Sequence, residues 1–212
     1  MLSLFKKPSF DRNQPALLAD AHARRLAIYE RELGEREYTF LDDSRIDIHA
    51  FGRDFVPDCA DGSDEGYVVL TNGMSDRRMS VPAEAEAKRR AELMWYVREA
   101  TPEINTTLRW LATVPSIDNT WFGFGHRLPM PAPPIAGTDF RTFLFLTPII
   151  APDQRIAEEL SVAGDPVEIL TVNLISDREY ALIKHEGLDA FLDLLDENDY
   201  SPIFDPARKS YA

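Results

Sequence analysis

Three places in this 212-residue chain carry residue types suited to chemistry. Ser75 and Asp76 close the turn Asn72-Gly73-Met74-Ser75-Asp76, and His126 lies much later in an aromatic, glycine-rich segment. A serine or a carboxylate with a histidine base is the minimum for nucleophilic or acid–base catalysis. The base must lie within hydrogen-bond reach, and a third group must orient it. Ser75, Asp76 and His126 are therefore the residues of a hydrolase-like alternative, an enzyme of unstated class. Asp47 and His49 form a second pair, two residues apart and on one face of a strand. A metal there would need further His or Cys ligands, and none lies nearby. Cys59 is the only cysteine, so it can neither close an internal disulfide nor join a zinc cluster, and nothing beside it would lower its pKa. No complete catalytic, metal-binding or cofactor-binding constellation is present, and the reading is a non-enzyme with no catalytic residue, metal or cofactor.

The elements that must position these residues follow from periodicity and punctuation. Residues 15–33 read as a first helix: Leu18, Ala21 or His22, Arg25, Tyr29 and Leu33 lie near one stripe, and Gly34 suits the stop. The remaining charges of this helix, Arg25 among them, read as solvated, and His22 as a surface or boundary histidine. Residues 38–41 give a short strand. Residues 46–51 alternate, with Ile46, Ile48 and Ala50 on one face and Asp47, His49 and Phe51 on a wetter one. The acidic stretch 52–66 resembles a calcium loop in composition only, because the required spacing is absent.

Tyr67-Val68-Val69-Leu70 reads as a buried strand that Asn72-Gly73 breaks, since both residues tolerate φ > 0. A hairpin or bulged bend is expected there. Residues 83–99 read as a helix, with Glu84/Lys88 and Glu86/Arg90 at i,i+4 and a broad apolar face that includes Trp95. Thr101-Pro102-Glu103 starts another helix, on which Trp110 reads as core. Residues 115–137 form a long loop, and loops of that length in a compact domain often carry function. Residues 140–146 and 167–175 are apolar on both faces and read as central strands. Ser176-Asp177-Arg178-Glu179 is a capping box for a further helix, broken at Gly187 and followed by a helical piece over 188–195. The tail 199–212 packs as an extended segment or frays.

Bulk properties bound the class. The chain is long enough for one large domain, and 44% hydrophobic with 28% charged residues is the composition of a folded protein. The formal net charge is −13. So acidic a surface argues against nucleic acid, which needs a basic patch, and against an anionic membrane. It suits a basic protein partner, whose approach it would steer. The N-terminus lacks a signal-peptide pattern and no run reaches the ~18 apolar residues of a span, so the expectation is a cytoplasmic protein.

Four stretches in order resemble the suppressor of fused (SUFU) domain family, bacterial type. They are Gly73-Met74-Ser75-Asp76 with Met79 and Pro82; Arg90-Ala91-Glu92-Leu93-Met94; Asn119-Thr120-Trp121 with Gly125-His126 and Pro129; and the strand–helix run 167–195. The likeness covers about residues 46–208. Strands first, then helices, then strand, strand and helix fit an α+β sandwich. The resemblance implies the same: one domain over 1–212, a mixed, largely antiparallel twisted sheet with packing helices, and helix 15–33 packed on it.

The resemblance also implies a binding role. The animal member has a second domain, for which this chain is too short, and binds a transcription-factor peptide. There an acidic residue precedes the histidine of the Gly-His region, where this chain has Gly125. Many bacterial members are proposed to be immunity proteins that neutralise a polymorphic toxin. The expected function is thus a non-enzymatic protein-binding domain, an immunity protein whose partner is a basic toxin domain. A regulatory adaptor is the other alternative. The expected contact residues are Trp121, Phe122, Phe124, His126 and Arg127, since aromatic anchors dominate interfaces. The apolar stripe of helix 180–195 should instead be consumed by its own core. Gly73, Met74, Ser75 and Asp76 are read as a structural motif.

Overall fold

In a computed structural model of the chain, residues 14–41, 45–55, 64–198 and 200–212 are described. Cys59 and most of the acidic loop lie outside them. In chain order the elements are α1 (Gln14–Leu33), β1 (Tyr38–Phe40), β2 (Asp47–Phe55), β3 (Asp64–Asn72), a 3-10 turn (Met74–Asp76), β4 (Arg90–Val97) and α2 (Pro102–Ile117). Then follow β5 (Arg127–Pro129), β6 (Thr142–Leu146), α3 (Ala151–Glu159), β7 (Ser161–Val162), β8 (Asp165–Ile175), α4 (Asp177–Glu186) and α5 (Leu188–Glu197). The strands form one mixed sheet in the order β1-β2-β3-β4-β8-β6-β5, with β7 folded back on β8. Among the described strands only β4 and β8 pair in parallel and the other strand pairings are antiparallel, with one isolated parallel bridge from Val97 to Phe204.

Helices cover both faces of the sheet. On one face Ile48 and Ala50 of β2, Leu93 and Trp95 of β4, Phe143 and Phe145 of β6 and Leu170 and Val172 of β8 pack with α2 through Ile104, Leu108 and Leu111. On the other, Phe51, Val68, Leu70, Met94 and Ile169 pack with Tyr29 of α1 and Ile156 of α3. Farther along that face, Leu144 and Ile175 meet Ile183, Phe191 and Leu195 of α4 and α5. The alternation read along residues 46–51 and 167–175 is the alternation of these two layers.

The caps explain where the helices begin. Thr101 accepts from the Ile104 amide with Pro102 in the first turn of α2, and Ser176 and Glu179 complete a reciprocal capping box on α4. Gly187 separates α4 from α5. The C-terminal tail is pinned rather than frayed. Phe204 bridges to Val97, and Arg208 reaches the buried Glu179 carboxylate at 2.7 Å while its guanidinium lies 4.0 Å from the Phe140 ring centroid. Glu179 is held below the usual carboxylate range: burial pushes it up, but Arg208 and the Tyr211 and Ser176 amides more than compensate.

Several expectations are corrected. Residues 83–99 are not a helix; Arg90–Val97 is a strand, β4, every residue of which is buried. Its helix-forming composition misleads because a strand covered on both faces shows no polar alternation. The pair Glu86/Arg90 does not form: Arg90 bonds Asp165 and the Ser75 carbonyl instead. The short return expected after β3 is absent: the chain makes one 3-10 turn and rejoins the sheet only at β4, which pairs antiparallel with β3. The wetter face of β2 is dry at His49, 2% exposed, and Phe51, 0% exposed, because α1 lies over it. Arg25 is buried, not solvated. Trp110 is 40% exposed. The loop expected from residue 115 starts later, because α2 runs through Pro115 to Ile117 and β5 forms inside the remainder. β6 is not central but one strand in from the β5 edge.

Candidate functional site

The polar residues of the 72–76 turn form a closed network built around one carboxylate. Glu92 stands on β4 beside the turn and is fully buried. Its Oε1 accepts from the Gly73 amide at 3.0 Å, the Ser75 amide at 3.0 Å and the Ser75 hydroxyl at 2.6 Å. Its Oε2 accepts from the Thr71 hydroxyl at 2.6 Å and the Met74 amide at 3.3 Å. Three successive amides aimed at one anion form a concave anion-binding nest, here filled by the chain's own glutamate. Gly73 makes the turn possible: its φ is 130°, and a Cβ there would meet the Arg45 carbonyl at 2.3 Å.

Helix α1 closes the network from above. Arg25, 1% exposed, donates Nε to Asn72 at 2.6 Å, Nη1 to the Ser75 hydroxyl at 3.1 Å and Nη2 to Asp76 at 2.7 Å. His22 donates to the second oxygen of Asp76 at 2.9 Å, with Asp47 at 3.8 Å from its other ring nitrogen. Burial raises Asp76, yet His22 and Arg25 outweigh it and hold the group below the usual aspartate range. His49 is a neutral imidazole: Nδ1 donates to the Thr39 hydroxyl at 2.8 Å and Nε2 accepts from the Asn72 amide at 3.2 Å. Burial first, then the charges of Arg36, His22 and Arg25, lower it to about 4.

These bonds decide what the cluster can do chemically. The Ser75 proton is spent on Glu92 and its lone pair on Arg25, so Ser75 is not presented as a nucleophile. Asp47 and His49 share a strand, but their partners differ, His22 for one and Thr39 with Asn72 for the other. Among the described residues no group of three or more His, Cys, Asp or Glu is placed to hold a metal ion. Arg25 and Glu92 were not singled out in the sequence; the signal was an arginine lying inside the apolar stripe of α1 with His22 and Tyr29.

His126 belongs to a different place. It packs against the Trp121 ring, 4.1 Å between centroids, and burial lowers its pKa, partly offset by a bond at the Trp121 backbone. It is not brought to Ser75 or Asp76. Thr120, Trp121, Phe122, His126, Arg127 and Leu128 line an open hollow together with Tyr180 and Lys184 of α4, so α4 contributes to this region instead of standing apart from it. Within it Phe122 is a core residue, 5% exposed and stacked on Phe145 at 4.2 Å. Trp121 is half-buried and lies so close over Gly123 that a Cβ there would meet its ring at 2.6 Å. Phe124 is 53% exposed, and Arg127 is exposed. The segment is stiffened by β6: Gly125 donates to the Phe145 carbonyl at 2.7 Å and Phe145 donates to His126 at 3.0 Å.

Comparison with known proteins places the chain. Solved structures share its fold, two of them as follows. One is a suppressor of fused homologue from Neisseria gonorrhoeae FA 1090, 18% identical, with TM-score 0.65, covering 92% of this chain and 98% of that one. The other is a chain in the crystal structure of the Sufu–Fu complex, 13% identical, with TM-score 0.53, covering 92% of this chain and 91% of that one. Among curated protein sequences none matches significantly. The family model for suppressor of fused protein (SUFU) matches residues 42–209. That span takes in all four sequence stretches and both the buried cluster's β-strand residues and the open hollow, and the chain belongs to the SUFU family.

Proposed function

We propose that this chain is one protein-binding domain without catalytic activity, and that it meets its partner at the hollow beside residues 120–128. The observation that supports the reading is the contrast in saturation. The polar groups of the signature turn are consumed by internal partners, whereas Arg127 at the hollow and Phe124 in the adjoining loop are exposed on a segment that β6 stiffens. Exposed aromatic and arginine side chains on a rigid support are the usual anchors of an interface. The Sufu–Fu complex, whose fold is similar, is itself an assembly with a protein partner.

The specific role proposed is that of an immunity protein neutralising a polymorphic toxin inside the producing cell. The net charge of −13 supports a basic toxin domain as the partner, through faster encounter. The test is co-expression with the toxin domain encoded beside this gene. Rescue of growth by the wild type, lost in a folded Phe124→Ala, Arg127→Ala double variant, is the expected result. Equal rescue by the double variant overturns the placement at the hollow, and no rescue by the wild type overturns the immunity role.

A further inference from the structure

The hollow beside residues 120–128 has a charge opposite to that of the chain. Across the fold arginines are matched with carboxylates: Arg25 with Asp76, Arg53 with Asp153, Arg90 with Asp165, Arg141 with Asp177, Arg208 with Glu179. Arg127 and Lys184 stand outside this pattern, as Arg77, Arg89, Arg178 and Lys209 do among the described residues. Both line the hollow and both are exposed, and among the described residues neither forms an ion pair. Lys184 instead lies 5.7 Å from the Tyr180 ring centroid. The one carboxylate lining the hollow is Asp118, at the C-terminal end of α2. In a chain with 36 acidic and 23 basic residues, two unmatched cations lining one hollow are a local inversion.

The rest of the lining is largely apolar: Trp121 and Leu128 are half-buried, and Phe122, Phe145 and Val114 are buried. The adjoining sheet edge contributes little main-chain recognition. His126 accepts from Phe145 and Met130 donates to Arg141 at 2.8 Å, so alternation along the antiparallel ladder turns the main-chain groups of Arg127 and Pro129 outward. Pro129 has no N–H, so a strand added at this edge finds an amide donor only at Arg127. Recognition there falls to side chains.

We propose that this hollow takes a short segment of a protein partner in which a carboxylate sits next to a large apolar side chain. The apolar group rests on the half-buried Trp121 and Leu128, and the carboxylate lies between Arg127 and Lys184. The inference rests on the binding function proposed above and specifies its chemistry. A partner that is basic overall must still present an acidic, apolar segment at this point.

The test is selection of random short peptides displayed on phage against the full chain, repeated on the Arg127→Glu, Lys184→Glu double variant. Both positions are exposed, so the variant should melt as the wild type does. The expected result is enrichment of peptides with Asp or Glu beside an aromatic or aliphatic residue. The best wild-type peptide should bind the charge-reversed variant about tenfold or more weakly, with the loss shrinking in high salt. The variant should itself enrich Lys or Arg at those positions. Enriched peptides that lack acidic residues, or that ignore the reversal while losing affinity in Trp121→Ala, overturn the proposed chemistry and leave the hollow as the docking site. No enrichment, or enrichment indifferent to both sets of variants, removes the hollow itself.

Discussion

The 72–76 turn and the 120–128 wall are both family stretches rich in polar and aromatic groups, but they stand at opposite ends of one scale. At the turn, every polar atom of the Ser75 and Glu92 side chains is engaged inside the protein, and α1 is laid over the result. At the wall, β6 holds the main chain at Gly125 and His126 while the side chains of Phe124 and Arg127 are left outside. The difference separates two reasons for a motif. A group whose hydrogen bonds are complete inside the fold contributes stability and specificity of packing. A group held rigidly with its bonding capacity unused is available to a partner.

The sharpest way to break this contrast is at Glu92. Glu92→Ala leaves three amides and two hydroxyls without their acceptor and takes away the carboxylate 3.5 Å from Arg25 Nε. Removing one side of a buried charged cluster costs about 3–5 kcal/mol, so urea denaturation should show a loss of that order. A loss under about 1 kcal/mol would mean the turn is not held by this carboxylate. The pH dependence comes next. His49 is held at about 4, against about 6.5 when unfolded. The unfolded chain therefore binds the proton first. The contribution of neutral His49 is complete above about pH 6.5 and is lost as pH falls through about 4, a change on the order of 3 kcal/mol. His49→Gln should flatten that part of the stability profile, and an unchanged slope would count against a neutral, bonded His49.

A smaller loss is expected from Gly73→Ala. With φ at 130° and a Cβ position 2.3 Å from the Arg45 carbonyl, the substitution should cost about 1–3 kcal/mol; an unchanged melting temperature would refute the backbone argument. Phe124→Ala completes the comparison from the other side. Its effect on stability should stay within about 0.5 kcal/mol, while affinity for the partner falls about tenfold or more in a titration. A large stability loss with intact binding would exchange the roles of the two regions.

Much of the frame was legible in the sequence because local signals agreed with the fold. The Thr101-Pro102 start of α2, the capping box at Ser176 and the alternation along β2 and β8 are short-range features that tertiary packing preserves. β4 was misread because its identity is set by its neighbours. Arg90–Val97 contains good helix formers, yet its place between β3 and β8 makes it a strand. The buried cluster was half legible. Gly73 and its turn could be read locally, but the reason for the turn is Glu92, and the reason Arg25 is buried is Asn72, Ser75 and Asp76 on a distant part of the chain. The hollow was legible as an aromatic loop and not as a charge pattern, because Lys184 joins Arg127 only through the packing of α4 against residues 120–128.

The parallel pairing of β4 with β8 bears on how the protein is made. Arg90 lies opposite Val167, and the residues between them include α2, β5, β6 and α3. During synthesis, β1 to β4 emerge as an antiparallel meander whose β4 edge has no partner until β8 leaves the ribosome. An edge of eight residues, all buried in the finished protein, is by then exposed, apolar and ready to pair with another chain. The long loop that must close before this pair forms slows the final step. A nascent chain halted before residue 165 should therefore depend on chaperones, and a chain released after β8 should not.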